Sequence, residues 1–211
     1  MNNKRKILVR SMEKIYSFYS PFYDFIFGKT LQPGRELAFS YLNKDPYQKI
    51  LEIGVGTGIT FTLYPKQSHI VGIDISPKMI ERAKKKAAIS SNGHKISLYV
   101  MDACNLEFED ESFDAVISPY VITTVKDPLK LCHEMHRVCK IGGQIIIVNH
   151  SKSPHGLRSR FEEWLSPFFA RVGFVTDLDV VELVSSTEIQ VEKVVDCNIF
   201  NLHKVIVGLK K

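Results

Sequence analysis

The stretch Lys49–Gly58, KILEIGVGTG, decides the fold of this chain. An apolar run leads directly into three glycines at every second position, which predicts a strand followed by a tight turn. A second apolar run, 70–73, ends in the acid Asp74, about 20 residues beyond the first glycine. Glycines let the backbone approach a ligand, and such an acid can accept hydrogen bonds from ribose hydroxyls. The pairing predicts the first βαβ unit of a nucleotide-binding domain.

The spacing of the glycines narrows the choice of ligand. A dinucleotide site has the pattern G-x-G-x-x-G, whereas this chain has E-x-G-x-G-x-G, so that the strand carries its own carboxylate, Glu52. Taken alone, the glycines also fit a turn that binds no ligand, or an NAD site. Glu52 and Asp74 together make those two interpretations much weaker.

The length and composition of the chain limit the kinds of protein that it can be. The chain has 211 residues and is 45% hydrophobic, which suits one domain with a modest appendage and a genuine core. Its apolar runs are far shorter than the roughly 18 residues needed to span a bilayer, and the amino terminus lacks the apolar centre of a secretory signal. Four scattered cysteines without ligand spacing predict buried thiols in a reducing cytoplasm and no metal site.

The positive charge is concentrated at one end of the chain. The net charge is +5, and residues 1–14 contain five basic residues and one acidic residue, which leaves +1 for all the rest. Apolar side chains then recur at spacings of three and four, as on one face of a helix. They are Leu8, Met12, Ile15, Tyr19, Phe22 and Ile26. Since Ser20–Pro21 is a good helix start, we expect helices over 7–19 and 21–27, and a third over 32–43.

From residue 48 onward, strands alternate with helices. Strands are predicted at 48–53, 69–74, 96–101, 113–118 and 143–149, and helices near 58–64, 77–90 and 127–140. Residues 157–184 look irregularly helical, and two β-rich runs, Glu188–Asp196 and Ile199–Leu209, suit an antiparallel carboxyl-terminal hairpin. The pattern predicts an α/β fold with a mainly parallel sheet covered by helices on both faces, and a ligand beyond the carboxyl ends of the strands. We expect residues 1–45 to form an amino-terminal helical lid and residues 46–211 the main domain.

The glycine pattern resembles motif I of the class I S-adenosylmethionine (SAM) methyltransferases. The resemblance implies a Rossmann-like, seven-stranded fold, with SAM as the cofactor and S-adenosylhomocysteine as its product. Asp102 and Ala103, after the third strand, match the family's adenine contacts, although an aspartate there also commonly caps a turn. The cofactor-binding residues expected on this basis are Tyr19, Glu52, Gly54, Gly56, Thr57, Gly58, Asp74, Ile75, Met79, Asp102, Ala103 and Ser118. Met79 could pack against adenine, although a methionine at such a position more often belongs to the plain core.

Over roughly residues 16–150 the chain is most similar to bacterial phospholipid N-methyltransferases, which convert phosphatidylethanolamine stepwise to phosphatidylcholine. The features that carry this resemblance are YSPFYDFIFG at 19–28, Gly34-Arg35, the motifs between residues 51 and 79, and Val148-Asn149-His150. Because the Tyr-Asp pair also occurs in quinone C-methyltransferases, methylation of a quinone or another apolar small molecule is the alternative. A module that binds SAM or a membrane without catalysis is a third reading.

The basic, aromatic amino-terminal helix fits a phospholipid substrate. Such a helix can lie among lipid headgroups, each basic residue contributing on the order of 1 kcal/mol near an anionic surface. An ordinary lid helix or a basic arm for nucleic acid would also fit. The latter is less attractive because Ser118-Pro119-Tyr120 stands where base methyltransferases have Asn/Asp-Pro-Pro-Tyr. We expect a monomeric cytoplasmic protein, peripheral to the inner membrane, with no nucleic-acid partner.

Three residues are candidates for catalysis. A phospholipid amine must lose a proton before it attacks a methyl group, and His150, after the fifth strand, is the candidate acceptor or headgroup ligand. Tyr23 and Tyr120 could line the substrate site, where aromatic faces stabilise a methylated ammonium. A structural histidine and packing tyrosines are the alternatives. Arg158 and Arg160 are weaker candidates for binding a lipid phosphate.

Overall fold

The computed structural model describes residues 30–90, 93–151, 178–198 and 202–211. Four helices and seven strands lie in these ranges. The helices are α1 (30–40), α2 (Pro77–Ser90), α3 (Pro128–Val138) and α4 (Val180–Ser185). The strands are β1 (Lys49–Ile53), β2 (His69–Asp74), β3 (Lys95–Val100), β4 (Phe113–Pro119), β5 (Cys139–His150), β6 (Gln190–Cys197) and β7 (His203–Leu209). The helices predicted over 7–19 and 21–27, and residues 157–177, lie outside the described residues.

The seven strands form one sheet in the order β3-β2-β1-β4-β5-β7-β6. The first five strands of that order are parallel, while β7 runs antiparallel to both β5 and β6. The predicted α/β fold with an antiparallel hairpin at the carboxyl end is therefore confirmed. Since parallel strands end at the same edge, the residues after β1, β2, β3 and β4 meet along one side of the sheet.

Helices cover both faces of the sheet. Successive residues of a strand point to opposite faces, so neighbouring residues belong to different buried clusters. Leu51 belongs to a buried cluster that includes side chains of α3 and α4, and Ile50 belongs to a second cluster with side chains of α1 and α2. The α1 residues Ala38 and Phe39 are buried in that second cluster, against the sheet. The described part of the region before residue 45 thus shares its core with the sheet, and the division at residue 45 stays a prediction.

The helix predicted near 58–64 is wrong. Residues 59–64 form a series of turns in which the N–H groups of Phe61 and Leu63 donate to carbonyls three residues earlier. The segment is short, it is bounded by Gly58 at φ 75° and by Pro65, and it is rich in β-branched and aromatic residues, which are poor helix formers. Thr60 is also held elsewhere, by the carboxylate of Glu52.

The start of β5 also differs from the prediction. The helix α3 begins after its cap, Asp127, as predicted, but it ends at Val138, and the chain becomes extended at once at Cys139. Cys139 pairs with Phe113 of β4, and the register then shifts before Gln144 pairs with Ala115. The glycines at 142 and 143 therefore belong to an irregularity inside a long strand and do not separate the helix from it.

Two further expectations from the sequence concern the cysteines and membrane-spanning helices. All four cysteines are buried free thiols, as predicted. Within the described ranges, no helix combines the length and the apolar character needed to cross a bilayer.

Candidate active site

A cavity of about 670 Å³ opens at the carboxyl edge of the sheet. Its wall is made of the loop after β1, the end of β2 with the start of α2, the residues after β3, the loop after β4, and one residue of α1, Arg35. The cavity lies where the topology of an open α/β sheet places a ligand. Its size is in the range of ordinary cofactor sites.

The glycine loop after β1 forms one wall. The N–H groups of Gly54 and Val55 both donate to the carbonyl of Ile73, at 2.8 and 2.9 Å, which joins the loop to β2. Gly54 and Gly56 have φ values of 74° and 54°, a region that favours glycine. A Cβ at Gly54 would lie 2.2 Å from Cγ2 of Val121, whereas a Cβ at Gly56 would meet nothing nearer than 4.0 Å. The backbone at Gly56 therefore faces open space in the cavity.

This difference predicts opposite effects for two alanine substitutions. Gly54→Ala should cost about 2–4 kcal/mol of unfolding free energy, because a backbone strain and a collision with Val121 add. Gly56→Ala should cost only about 1 kcal/mol, but it should impair ligand binding because the new methyl group occupies the cavity. Urea unfolding and calorimetric titration with S-adenosylhomocysteine measure the two effects separately. Equal losses of unfolding free energy in the two variants would contradict the conclusion that Gly54 is closely packed whereas Gly56 faces open space.

Asp74 ends β2 with its carboxylate directed at the glycine loop. Its Oδ2 accepts from the N–H of Gly56 at 3.0 Å, and its Oδ1 accepts from the N–H of Ser76 at 2.8 Å. Burial raises the pKa of Asp74, and the two backbone N–H groups oppose that shift. Each carboxylate oxygen can accept a further hydrogen bond, so the group can bridge the loop, the start of α2 and a ligand hydroxyl.

Glu52 is almost completely buried, at 1% exposure, and still reaches the cavity wall. Both of its oxygens accept from the hydroxyl of Thr60, at 2.9 and 2.8 Å, and Oε2 also accepts from the hydroxyl of Tyr64 at 2.5 Å. Burial raises the pKa of Glu52 to about 7, while the hydroxyl donors and the nearby charge of Arg35 lower it. Glu52 thus holds the loop after β1 in place as well as facing the cavity.

The cavity lining also contains other residues predicted to contact the cofactor. Met79 is buried, while Ile75 and Asp102 are exposed, and these three residues line the cavity together with Ala103 and Thr57. The Oδ1 of Asp102 accepts from the N–H of Cys104 at 2.9 Å, so the turn-capping role considered for this aspartate is real. That bond leaves its second oxygen available at the wall.

Several predicted residues do not reach the wall. Ser118, Gly58 and His150 are absent from the described lining of the cavity. Ser118 is fully buried within β4, because its position in the strand directs it into the sheet's core and Pro119 forms the wall after it. The geometry therefore does not support a cofactor contact by Ser118. Tyr19 and Tyr23 lie outside the described residues, as do Arg158 and Arg160.

Tyr120 lines the cavity in a conformation unusual for a tyrosine, with φ at 62°. Its hydroxyl donates to the carbonyl of Leu31 in α1 at 3.0 Å and accepts from Nδ2 of Asn198 at 2.9 Å. The guanidinium of Arg35 lies 5.3 Å from the centre of the ring. Burial raises the pKa of Tyr120, which keeps the phenol neutral. Because its hydroxyl holds two distant segments together, Tyr120 is better suited to shaping the site than to proton transfer.

His150 lies at the end of β5 next to a second histidine that the sequence did not single out. His150 and His203 are register partners in β5 and β7, with ring centres 5.7 Å apart. The centre of the His203 ring also lies 5.6 Å from that of Tyr120, and the two rings are nearly perpendicular. Burial, with a smaller effect from His150, lowers the pKa of His203 to about 4. A row of three aromatic rings therefore leads from the end of β5 to the cavity wall.

Four residues in or next to the site received no role in the sequence analysis: Thr60, Tyr64, Arg35 and His203. Their contacts join positions that are far apart in the chain or lie in a loop mistaken for a helix. Only Arg35 carried a signal, as part of the Gly34-Arg35 pair. Over the described part of the chain, no group of three or more side chains is arranged to hold a metal ion.

The residues present fit SAM. Asp74 offers acceptors for ribose hydroxyls, the open space at Gly56 admits the close approach of a nucleoside, and the wall formed by Met79, Ala103 and Ile75 is apolar, as an adenine ring requires. Glu52 places a carboxylate beside the loop, where a cationic ligand would be favoured.

Comparisons with known proteins agree with this geometry. Residues 51–147 match the family described as Methyltransferase domain. The phosphatidylethanolamine N-methyltransferase of Cereibacter sphaeroides is 33% identical over 169 residues, which cover 80% of this chain and 83% of that protein. The ubiquinone/menaquinone biosynthesis C-methyltransferase UbiE of Geotalea daltonii is 31% identical, over 66% of this chain and 63% of that protein.

Solved structures share the fold. A SAM-dependent methyltransferase from Methanosarcina mazei superimposes with a TM-score of 0.66 and 24% identity, covering 82% of this chain and 96% of that one. The glycine loop, Asp74, the sheet order and the extent of similarity to curated methyltransferases lead to one conclusion. The chain belongs to the class I SAM-dependent methyltransferases and is an enzyme of that class that uses SAM as its cofactor.

Proposed function

We propose that the enzyme transfers methyl groups to the amine of phosphatidylethanolamine, and to its mono- and dimethyl derivatives, at the surface of the cytoplasmic membrane. The observation that carries the proposal is the 33% identity to a phosphatidylethanolamine N-methyltransferase, which extends over 83% of that protein and so reaches beyond the cofactor motifs. The alternative, methylation of a quinone or another apolar molecule, is supported by the similarity to UbiE proteins, which covers less of both chains.

The chemistry requires little of the protein beyond orientation and desolvation. When bound, SAM supplies a methyl group activated by its sulfonium charge. The neutral amine of the lipid would donate its lone pair to that methyl carbon, so that a nitrogen–carbon bond would form as the sulfur–carbon bond breaks and a neutral thioether would be left. The amine must be deprotonated beforehand. His150 stays the candidate acceptor of that proton on the strength of the sequence, although the rings of His203 and Tyr120 lie between it and the described cavity lining.

Transfer of labelled methyl from SAM to phosphatidylethanolamine in mixed anionic vesicles tests the proposal directly. Labelled mono-, di- or trimethylated lipid, separated by headgroup, is the expected result. Absence of labelled lipid, together with intact binding of S-adenosylhomocysteine, would overturn the lipid substrate and favour the quinone. A parallel reaction with a demethylated quinol distinguishes the two candidate functions.

The basic amino-terminal segment should attach the enzyme to membranes. Deleting residues 1–14 removes a net charge of +4, so binding to vesicles that contain anionic lipid should weaken by about tenfold or more at low salt. Affinity for S-adenosylhomocysteine should stay within about twofold. Sedimentation with vesicles and calorimetry measure the two quantities. Equal sedimentation of the truncated and full-length enzymes would remove the membrane role from this segment.

A further inference from the structure

Asn149 is buried behind the loop that follows β4, which forms one wall of the cavity. Val121, Thr124 and Val125 of that loop line the cavity, whereas Thr123 does not belong to the described lining. The hydroxyl of Thr123 instead donates to Oδ1 of Asn149, at the end of β5, at 3.1 Å. The two side chains are almost completely buried, at 4% and 3% exposure. A buried hydrogen bond between side chains therefore ties this wall to β5.

The hydrogen bonds of Asn149 fix the orientation of its amide. Oδ1 also accepts from the backbone N–H of His150 at 2.7 Å. Because a backbone N–H can only donate, the atom that faces it must be the oxygen, and the Thr123 hydroxyl is the second donor to the same atom. Within the described ranges, the amide nitrogen of Asn149 is buried without a hydrogen-bond partner. An apolar side chain would avoid the cost of that buried donor, so packing alone does not explain an asparagine here.

The loop that Thr123 anchors is a tight turn that packs against the glycine loop. The N–H and the hydroxyl of Thr124 both donate to the carbonyl of Val121, each at 2.7 Å. The side chain of Val121 lies directly against Gly54, where an added Cβ would be 2.2 Å from Cγ2 of the valine. A displacement of Thr123 would therefore move two residues of the cavity lining, Val121 and Thr124, relative to the glycine loop.

We propose that Asn149 is a positioning residue, which holds the loop after β4 in the shape that the cofactor requires by accepting the hydrogen bond from Thr123. Asn149 lies outside the described lining of the cavity, so it acts through the loop and not by contact with SAM. A shift of about 1 Å in such a wall is enough to impair binding or catalysis. This role does not depend on which substrate receives the methyl group.

Three threonine variants test the hydrogen bond. Thr123→Val removes the hydroxyl and keeps the shape of the side chain, so the affinity for S-adenosylhomocysteine should fall by about 3- to 10-fold in calorimetric titration. Thr123→Ser keeps the hydroxyl and should bind within about twofold of the wild type. The control Thr187→Val removes a hydroxyl that donates to the carbonyl of Val184 at 2.7 Å, away from the described cavity lining, and should leave the affinity unchanged.

A double variant tests whether Asn149 acts through Thr123. Asn149→Ala should lose at least as much affinity for S-adenosylhomocysteine as Thr123→Val does. The double variant should lose no more than Asn149→Ala alone, because both changes remove the same hydrogen bond. Losses that add in the double variant would overturn the proposal, since the two residues would then act independently.

Two further results would separate this role from a contribution to folding alone. A lower urea midpoint for Thr123→Val, together with wild-type affinity for S-adenosylhomocysteine, would overturn the proposal. If that variant folds poorly, hydrogen exchange of the wild type supplies a second measurement. Exchange of the Thr124 N–H, which is bonded within the loop, should slow by at least about fivefold when S-adenosylhomocysteine saturates the enzyme. Exchange at an unchanged rate would show that the loop is not shaped to the cofactor, and would overturn the proposal as well.

Discussion

Asp74→Ala should reduce the affinity for S-adenosylhomocysteine by about 30-fold or more. We propose that the carboxylate at the end of β2 accepts from the ribose hydroxyls, and hydrogen bonds to a charged group contribute roughly 1.5–3 kcal/mol. Its removal also frees the N–H groups of Gly56 and Ser76, which Asp74 holds at 3.0 and 2.8 Å. The glycine loop would then lose part of its fixed shape. Calorimetric titration measures the effect directly.

Two controls define what this result means. Asp74→Asn retains an oxygen that can accept from one backbone N–H, and it should therefore bind better than the alanine variant but worse than the wild type. Asp196→Ala removes a carboxylate at the surface of β6, paired with Lys204, and should leave the affinity unchanged. An Asp74→Ala enzyme with wild-type affinity would refute the placement of the ribose beside β2.

Glu52→Gln should make the ligand-free enzyme more stable at pH 8.5, by about 2 kcal/mol, although it replaces a residue of the cofactor site. The pKa of Glu52 is raised from 4.5 to about 7 in the folded protein because the carboxylate is buried. Above pH 7 both states are ionised, and the folded state bears the full cost of the buried charge. As the pH falls towards 4.5 the folded state takes up a proton before the unfolded state does, so the wild type gains stability.

The advantage of the glutamine variant should therefore be largest above pH 7 and should shrink steadily as the pH falls towards 4.5. Urea unfolding of both proteins at pH 8.5 and 5.5, without cofactor, measures it. Tyr64→Phe serves as the matched control: it removes one hydroxyl donor to Glu52 while keeping the ring, and should destabilise the folded state most where Glu52 is ionised. If Glu52→Gln changed the free energy of unfolding by the same amount at both pH values, the pKa of Glu52 in the folded chain would not be raised.

The sequence predicted the parts of the site that depend on neighbouring residues. Local pattern and spacing were enough to predict β1, β2, the glycines between them and the acid that ends β2. The structure brings the glycines and the acid together at one edge of the sheet. The cap at Asp127 and the start of α2 after Ser76 were predictable for the same reason, since capping is a property of a few consecutive residues.

The rest depended on contacts between distant positions. The turns at 59–64 are stabilised by Glu52, whose hydroxyl partners no local pattern indicates. Ser118 ends an apolar strand and so looked like a cofactor contact, but only the three-dimensional position of Pro119 and Tyr120 shows that the wall begins one residue later. His203 became part of the site because β7 pairs with β5, a choice of neighbour that strand periodicity alone does not specify.

The bonds made by Tyr120 have a consequence for biosynthesis on the ribosome. Its hydroxyl joins Leu31, 89 positions earlier, to Asn198, 78 positions later. A nascent chain that has emerged only as far as β5 contains the glycine loop, Asp74 and α1, yet lacks the amide that completes this junction. Domains form during synthesis from the amino-terminal side. The wall of the cavity would thus reach its final form only after residue 198 has been synthesised, so a chain that terminates before that residue would lose this junction as well as the hairpin.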